Sequence, residues 1–259
     1  LRRLSNTPLQ IEVEFLRTAT YTSKHSPAAY LDEFYITHEV ARQRSYDGLI
    51  ITGAPIEQLP FEQVDYWNEL CEIMSWASEH VYSTLFLCWG AQAGMYYHYG
   101  IEKHPLDEKK FGIYPHKVSK KNSPLLRGFD DMFNAPHSRH TEVRKSDVEN
   151  IKGLEILSES SEAGLFIVAS KDKRKVFVFG HPEYEKYTLD AEYKRDKKKG
   201  LPIDVPKNYY QNDDPESSIN VSWYSHAQLV SPNWLNYYVS QTTPYDLESL
   251  HSHHQLTHF

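Results

Sequence analysis

Two short apolar segments separated by one amphipathic helix limit what this chain can fold into. Residues 49–51 and 84–88 are largely apolar, and glycine or other small residues follow each of them. Between them, residues 60–80 carry a helical apolar stripe. Continuous apolar strands that alternate with helices are typical of a parallel sheet covered on both faces. The sequence therefore predicts an α/β fold with a doubly wound, mostly parallel sheet.

The second half of the chain continues this pattern. The segment AGLFIVASKDKRKVFVFGHPEY predicts two strands around a polar turn at 170–175, and a helix is predicted over 188–200. The residues from Leu201 onward are rich in Pro, Asn and Tyr, so we expect them to wrap over the surface. With no internal repeat and no linker, residues 1–259 are predicted to form a single domain, in which 201–259 is a C-terminal wrapping segment.

The composition excludes several classes of protein. The chain has 28 Lys and Arg against 35 Asp and Glu, a net charge of -7, whereas a nucleic-acid-binding protein needs a concentrated basic face. Two cysteines are too few for a disulfide framework, and they form no Cys-x-x-Cys pair that would indicate a metal site. No apolar stretch approaches the ~18 residues of a membrane helix, and no signal peptide opens the chain. We therefore expect a cytoplasmic protein without a metal or a membrane partner.

Cys88 lies where the second apolar segment ends and small residues begin. Ligands of doubly wound sheets bind beyond the carboxyl ends of the strands, and a sharp strand-to-helix turn around a nucleophile needs small neighbours such as Gly90. A helix N-terminus behind a thiol favours the thiolate and offers N–H groups to an oxyanion. A buried structural thiol is the alternative, and it is the interpretation we give to Cys71, which lies on the helical apolar stripe.

A thiolate nucleophile needs a base, and the base needs a carboxylate that orients it. His181 closes an apolar strand, and Glu183 follows two residues later. We therefore predict a catalytic triad of Cys88, His181 and Glu183. The backbone N–H of Trp89 is the expected first oxyanion donor, and Gly53 or Ala54 in the loop of the neighbouring strand could supply the second. The HSHH stretch at 251–254 is interpreted as a solvated tail.

Longer stretches of sequence carry a family resemblance. The motifs CWGAQ and GHPE resemble those of class I glutamine amidotransferases. The stretches YDGLIITGAPIEQLPFEQVDYW, CWGAQAGMYYHYGI, FNAPHSRHTEVR and SWYSHAQLVSPNWLNYYVSQTTPY resemble the homoserine O-acyltransferases, a different branch of the same fold. The resemblance implies a class I glutamine amidotransferase-like (flavodoxin-like) fold. It also indicates that the family's first strand is missing from this sequence.

The same resemblance implies the roles of further residues. Cys88 would accept an acyl group from acyl-CoA and pass it to the γ-hydroxyl of L-homoserine, with no tightly bound cofactor. Lys109 and Ser138 are carried over as substrate contacts. Arg195 is expected to bind the carboxylate of homoserine and Glu192 its ammonium group. These two residues share one helical face, so a simple surface ion pair is the alternative.

Glu57 bears on which acyl group is used. A carboxylate facing Cys88 would repel the free carboxylate of a succinyl group, and the family pattern associates Glu at this position with acetyl-CoA. We therefore expect a homoserine O-acetyltransferase of methionine biosynthesis, and a homodimer. The alternatives are a succinyl-specific enzyme, a glutamine amidotransferase and an inert binding module.

Overall fold

The computed structural model describes residues 1–20, 31 and 33–241, and it is built around a seven-stranded sheet. The predicted tail at 251–254 therefore lies outside the described residues. A two-stranded sheet is formed by β1 and β2, and the large sheet has the order β3-β4-β9-β8-β7-β5-β6. The strands are β1 Phe15–Arg17, β2 Tyr35–Thr37, β3 Tyr46–Ile51, β4 Val81–Leu87, β5 His104–Val118, β6 Met132–Glu142, β7 Leu154–Ser160, β8 Gly164–Ser170 and β9 Lys175–Val178.

Six α-helices accompany these strands in the described part of the chain. They are α1 His38–Ala41, α2 Trp67–His80, α3 Trp89–Tyr99, α4 Lys145–Val148, α5 Thr188–Lys198 and α6 Tyr224–Asn233, which continues into a π-helix over Trp234–Ser240. The apolar stripe of α2 is buried against the sheet, as its spacing predicts. None of the described helices is long and apolar enough to cross a membrane.

Three parallel strands bring the predicted site residues to one edge of the sheet. β4 lies between β3 and β9 and is parallel to both. The chain leaves these strands at Ile51, Leu87 and Val178, just before Gly53, Cys88 and His181. A hydrogen bond from the N–H of Cys88 to the carbonyl of Val178, 2.8 Å long, extends the pairing of β4 and β9 to the nucleophile position.

Within the seven-stranded sheet, parallel pairing is confined to these three strands, so the expectation of a mostly parallel sheet needs correction. The α/β class is confirmed, but β9, β8, β7, β5 and β6 are joined in antiparallel pairs. The physical reason is the length of the connections. A parallel neighbour needs a crossover of about a dozen residues, whereas only residues 171–174 join β8 to β9.

The long β5–β6 hairpin was not predicted from the sequence. Pro105, Pro115 and a run of charged residues interrupt the apolar alternation of β5, and the pairing with β6 shifts register between Pro105 and Lys110. This hairpin matters because it carries Lys109 and Ser138, two of the predicted substrate contacts.

The segment after Leu201 does more than wrap the surface. Tyr209, Trp223 and Trp234 are among the largest fully buried side chains. Trp234 packs with Leu85 and Val239 beside the sheet, and its indole N–H donates to Ser83 Oγ at 3.0 Å. The described part of this segment therefore completes the core, while the single-domain assignment of residues 1–259 stays a prediction.

Trp234→Ala should lower the free energy of unfolding by about 3–5 kcal/mol, because it removes a buried ring and its hydrogen bond. Urea unfolding followed by circular dichroism measures this loss. Leu201→Ala is the matched control, since this side chain is 52% exposed and should change stability little. Equal stabilities of the two variants would contradict the core role of the segment.

Candidate active site

Cys88 forms the whole turn between β4 and α3. Its backbone has φ 52° and ψ -118°, a conformation that non-glycine residues rarely adopt. Gly90 makes the turn possible, because a Cβ atom there would lie 2.7 Å from the carbonyl oxygen of Ile51 and 3.0 Å from that of Thr52. Helix α3 can therefore start directly against the end of β3. Such a strained strand-to-helix turn presents its side chain at the sheet edge.

The loop after β3 lies against the sulfur of Cys88. A Cβ atom built on Gly53 would lie 3.0 Å from Cys88 Cβ, and 3.5 Å from both Cys88 Sγ and the backbone nitrogen of Trp89. As the first residue of α3, Trp89 has an N–H group without an intrahelical acceptor. The structure thus brings Gly53 and Trp89 to the sulfur, with Ala54 next in the same loop. Their role as oxyanion donors stays a prediction.

His181 is buried and oriented by Glu183. Its Nδ1 atom lies 2.7 Å from Glu183 Oε1, and its backbone N–H donates to the carbonyl of Pro136 at 2.9 Å. The Nε2 atom is buried and has no nitrogen or oxygen partner among the described residues. Burial lowers the pKa of His181, but the charge and hydrogen bonding of Cys88 and Glu183 outweigh it and raise this pKa to about 10. The arrangement therefore favours the protonated form of His181.

The structure brings together Lys109, Ser138 and Glu192, three of the predicted substrate-binding residues. Glu192 Oε1 accepts hydrogen bonds from Lys109 Nζ at 2.6 Å and from Ser138 Oγ at 2.7 Å. The β5–β6 hairpin presents the two donors, and α5 presents the carboxylate. Because these side chains are mostly buried, the ion pair is shielded from solvent.

Arg195 is engaged by a neighbouring carboxylate. Its Nε and Nη2 atoms donate to the two oxygens of Asp196 at 2.6 and 2.8 Å, and Nη2 lies 4.0 Å from Glu192 Oε1. The side chain is 55% exposed. A ligand carboxylate at Arg195 would therefore exchange with that of Asp196.

Glu57 acts electrostatically on Tyr184, as Cys88 and Glu192 also do. Burial raises the pKa of Tyr184, and the charges of Glu192, Cys88, Glu183 and Glu57 raise it further. Tyr184 therefore lies within electrostatic range of both groups of predicted site residues, the one around Cys88 and the one around Glu192.

Comparisons with known proteins agree with this geometry. A family model described as homoserine O-succinyltransferase matches residues 1–245. A protein of Lachnoclostridium phytofermentans named homoserine O-acetyltransferase is 58% identical over 247 residues, which are 95% of this chain and 82% of the relative. One of Acetivibrio thermocellus with the same name is 54% identical over 250 residues, or 96% and 82% of the two chains. The chain belongs to the homoserine O-succinyltransferase family.

Solved structures confirm the predicted fold. A glutamine amidotransferase from Thermotoga maritima has a TM-score of 0.55 at 13% identity and covers 85% of this chain and 83% of its own. One from Methylobacillus flagellatus has a TM-score of 0.55 at 10% identity and covers 88% and 95%. At 10–13% sequence identity, these structures show that the fold is shared and give no information about function.

Sequence reasoning missed a buried polar chain on the inner face of β6. Arg139 Nε donates to His137 Nδ1 at 3.4 Å, His137 Nε2 lies 3.0 Å from His116 Nε2, and His116 Nδ1 lies 2.8 Å from the carbonyl of Tyr114. His116 Nδ1 must donate to that carbonyl, so its Nε2 accepts from His137. Burial lowers the pKa of both histidines, that of His116 to about 4, so both rings are neutral.

The same chain reaches the nucleophile helix through Thr141. The carbonyl of Thr141 accepts from Arg139 Nη1 at 2.8 Å and from Gln92 Nε2 at 3.1 Å. Thr141 Oγ1 donates back to Gln92 Oε1 at 2.9 Å. Gln92 lies one turn after Cys88, so these bonds fix the start of α3. The alternation of His137, Arg139 and Thr141 on one face of a strand is the signal that could have revealed the network.

The described residues contain no group of three or more His, Cys, Asp or Glu side chains that could hold a metal ion.

Iodoacetamide at neutral pH should label Cys88 much faster than Cys71. Burial and the charges of Glu62 and Glu72 raise the pKa of the Cys71 thiol, whereas Cys88 faces a protonated His181. His181→Ala should slow the labelling of Cys88 about tenfold or more. Intact-mass spectrometry follows the addition of one iodoacetamide label. The control variant Cys71→Ala should be labelled as fast as the wild type, because Cys88 is unchanged. Equal labelling of the two cysteines in the folded protein would contradict the assignment.

Proposed function

We propose that this chain is a homoserine O-acetyltransferase that uses acetyl-CoA as a co-substrate and needs no tightly bound cofactor. The observation that carries the proposal is Cys88 in a strained turn, beside Gly53 and the His181–Glu183 pair. Relatives that are 54–58% identical over nearly the whole chain are named homoserine O-acetyltransferase.

In the first half-reaction, the Cys88 thiolate attacks the thioester carbonyl of acetyl-CoA. The carbonyl oxygen becomes an oxyanion and accepts hydrogen bonds from the N–H of Trp89 and from the loop at Gly53 and Ala54. The tetrahedral intermediate collapses with cleavage of the bond to the sulfur of CoA, which takes the proton of His181 Nε2. One thioester replaces another, so the step is nearly balanced in free energy and needs mainly an ionised sulfur.

In the second half-reaction, His181 Nε2 removes the proton of the γ-hydroxyl of homoserine as the oxygen attacks the acetyl-enzyme. The bond between the acetyl carbon and sulfur breaks, which restores the Cys88 thiolate beside the imidazolium. Glu183 keeps the proton of His181 on Nδ1, so Nε2 is free to act as the base.

The charged groups around α5 suit the two ends of homoserine. Its carboxylate would exchange with that of Asp196 at Arg195, where the planar guanidinium offers two parallel donors. Its ammonium group would bind Glu192, whose Oε1 already accepts from Lys109 and Ser138, so that Oε2 is the oxygen left for it.

The proposal is tested by intact-mass spectrometry after incubation with acetyl-CoA or with succinyl-CoA, without homoserine. Acetyl-CoA should add about 42 Da, and the adduct should be absent in Cys88→Ala and discharged by homoserine. Loading by succinyl-CoA alone would instead favour the second candidate, homoserine O-succinyltransferase, which the description of the family model supports. A chain that neither donor loads, and that hydrolyses glutamine, would be an amidotransferase.

Glu57 is proposed to set the preference between the two donors. Glu57→Gly should raise kcat/KM for succinyl-CoA about tenfold or more. The substitution removes a side chain that would occupy the space of the succinyl group, and it removes the repulsion between two carboxylates. Gln58→Gly is the matched control, since this exposed neighbour should leave both donors unchanged. If Glu57→Gly and Gln58→Gly show the same preference between acetyl-CoA and succinyl-CoA, Glu57 does not set the donor specificity.

A further inference from the structure

Tyr184 makes the closest aromatic contact of His181, and the acyl-transfer steps above give it no role. The two rings are stacked with their centroids 4.0 Å apart and an interplanar angle of 15°. Tyr184 therefore covers one face of the imidazole, whereas Glu183 contacts only its Nδ1 edge.

The backbone of Tyr184 is anchored independently of this contact. Its N–H donates to the carbonyl of His181 at 3.1 Å. Its carbonyl accepts from Trp223 Nε1 at 3.1 Å and from Arg3 Nη2 at 3.3 Å. The side chain of Tyr184 also packs against the apolar cluster that contains Leu189 and Trp223, so its ring has a support other than the imidazole.

One hydrogen bond does not fix the plane of an imidazole. The ring can still tilt about the axis from Nδ1 to Glu183 Oε1, and that motion would swing Nε2 away from the sulfur of Cys88. A tyrosine ring stacked at 4.0 Å removes this freedom. An aromatic face next to a cation also stabilises the protonated form, because the ring quadrupole presents its negative side.

We propose that Tyr184 is a positioning residue for His181, whose ring fixes the imidazole plane and stabilises the imidazolium that pairs with the Cys88 thiolate. The proposal rests on the function proposed above only in its kinetic consequences, because the ring contact and its effect on the thiolate exist without substrate.

Groups other than Tyr184 also act on the pair formed by His181 and Cys88. Cys88 and Glu183 favour the imidazolium, while His137 faces it from β6 as a neutral ring. Glu192, Glu57 and Arg195 interact with the phenol of Tyr184, as Cys88 and Glu183 also do. The test therefore has to separate the ring of Tyr184, which stacks on His181, from its hydroxyl, which interacts with these charges.

Two substitutions make this separation. Tyr184→Phe keeps the stacked ring and removes the hydroxyl, and Tyr184→Leu removes the ring. For Tyr184→Leu we expect the pH midpoint of Cys88 alkylation to rise by about 0.5 units, and kcat for acetyl transfer to fall about tenfold at a KM within about twofold. Tyr184→Phe should match the wild type in both measurements. Tyr187→Leu, an exposed neighbour, is the control.

Three outcomes would overturn the proposal. If Tyr184→Leu matches Tyr184→Phe, the ring has no role. If both lose activity equally, the hydroxyl is the active part. If Tyr184→Leu raises only KM, the residue contacts substrate rather than positioning His181. Should Tyr184→Leu fail to fold, Tyr184→Gln takes its place as the non-aromatic variant and is judged by the same criteria.

The alkylation profile separates this proposal from the proposed function. The alkylation measurement needs no acyl donor. If Tyr184→Leu raises the pH midpoint of Cys88 alkylation but acetyl-CoA does not load the wild-type protein, the positioning role of Tyr184 is supported and the acetyltransferase proposal is wrong. If acetyl-CoA loads Cys88 normally and Tyr184→Leu leaves the midpoint unchanged, the acetyltransferase proposal is supported and the positioning role of Tyr184 is wrong.

Discussion

The close contact between the end of β3 and the start of α3 is the constraint on which the site depends. Gly90 packs against the carbonyls of Ile51 and Thr52, with no room for a Cβ atom. Only Cys88 is left to turn the chain from strand to helix, and it does so in a conformation that costs about 1–3 kcal/mol. That strain persists because β4 is held between two parallel neighbours. The same contact places the Gly53 loop against the sulfur.

The buried network of β6 supports the same turn from the opposite side. Arg139 has only neutral hydrogen-bond acceptors among the described residues, namely the carbonyls of Thr141 and Ala163 and the ring of His137. A buried cation without a bonded carboxylate is unfavourable by itself. Cys88 is one of the negative groups that act on it. The guanidinium therefore contributes to a positive environment around the thiolate, together with the imidazolium and the N-terminus of α3.

The sequence predicted those parts of the molecule that depend on local pattern. The apolar segments of β3, β4 and β9 are short and uninterrupted, so the strands, the edge they share and the residues that follow them could be recognised. The β5–β6 hairpin could not, because prolines and charges hide its alternation. Neither could the pairing of Arg195 with Asp196 nor the stacking of Tyr184, since both depend on side-chain conformations that residue types and spacing leave open.

The two halves of the cleft differ in how they meet a substrate. At the strand ends, backbone contacts hold Cys88, Gly53 and Trp89 in place without any ion pair. Around α5, by contrast, the charged groups already satisfy one another, Lys109 with Glu192 and Arg195 with Asp196. The carboxylate of homoserine would therefore take the place of the Asp196 carboxylate at Arg195, and this replacement of one ion pair by another yields little affinity by itself. A ligand that lacks the carboxylate would gain nothing at Arg195, because Asp196 would stay in place. Exchange of this kind would favour a ligand that carries a carboxylate over one that does not.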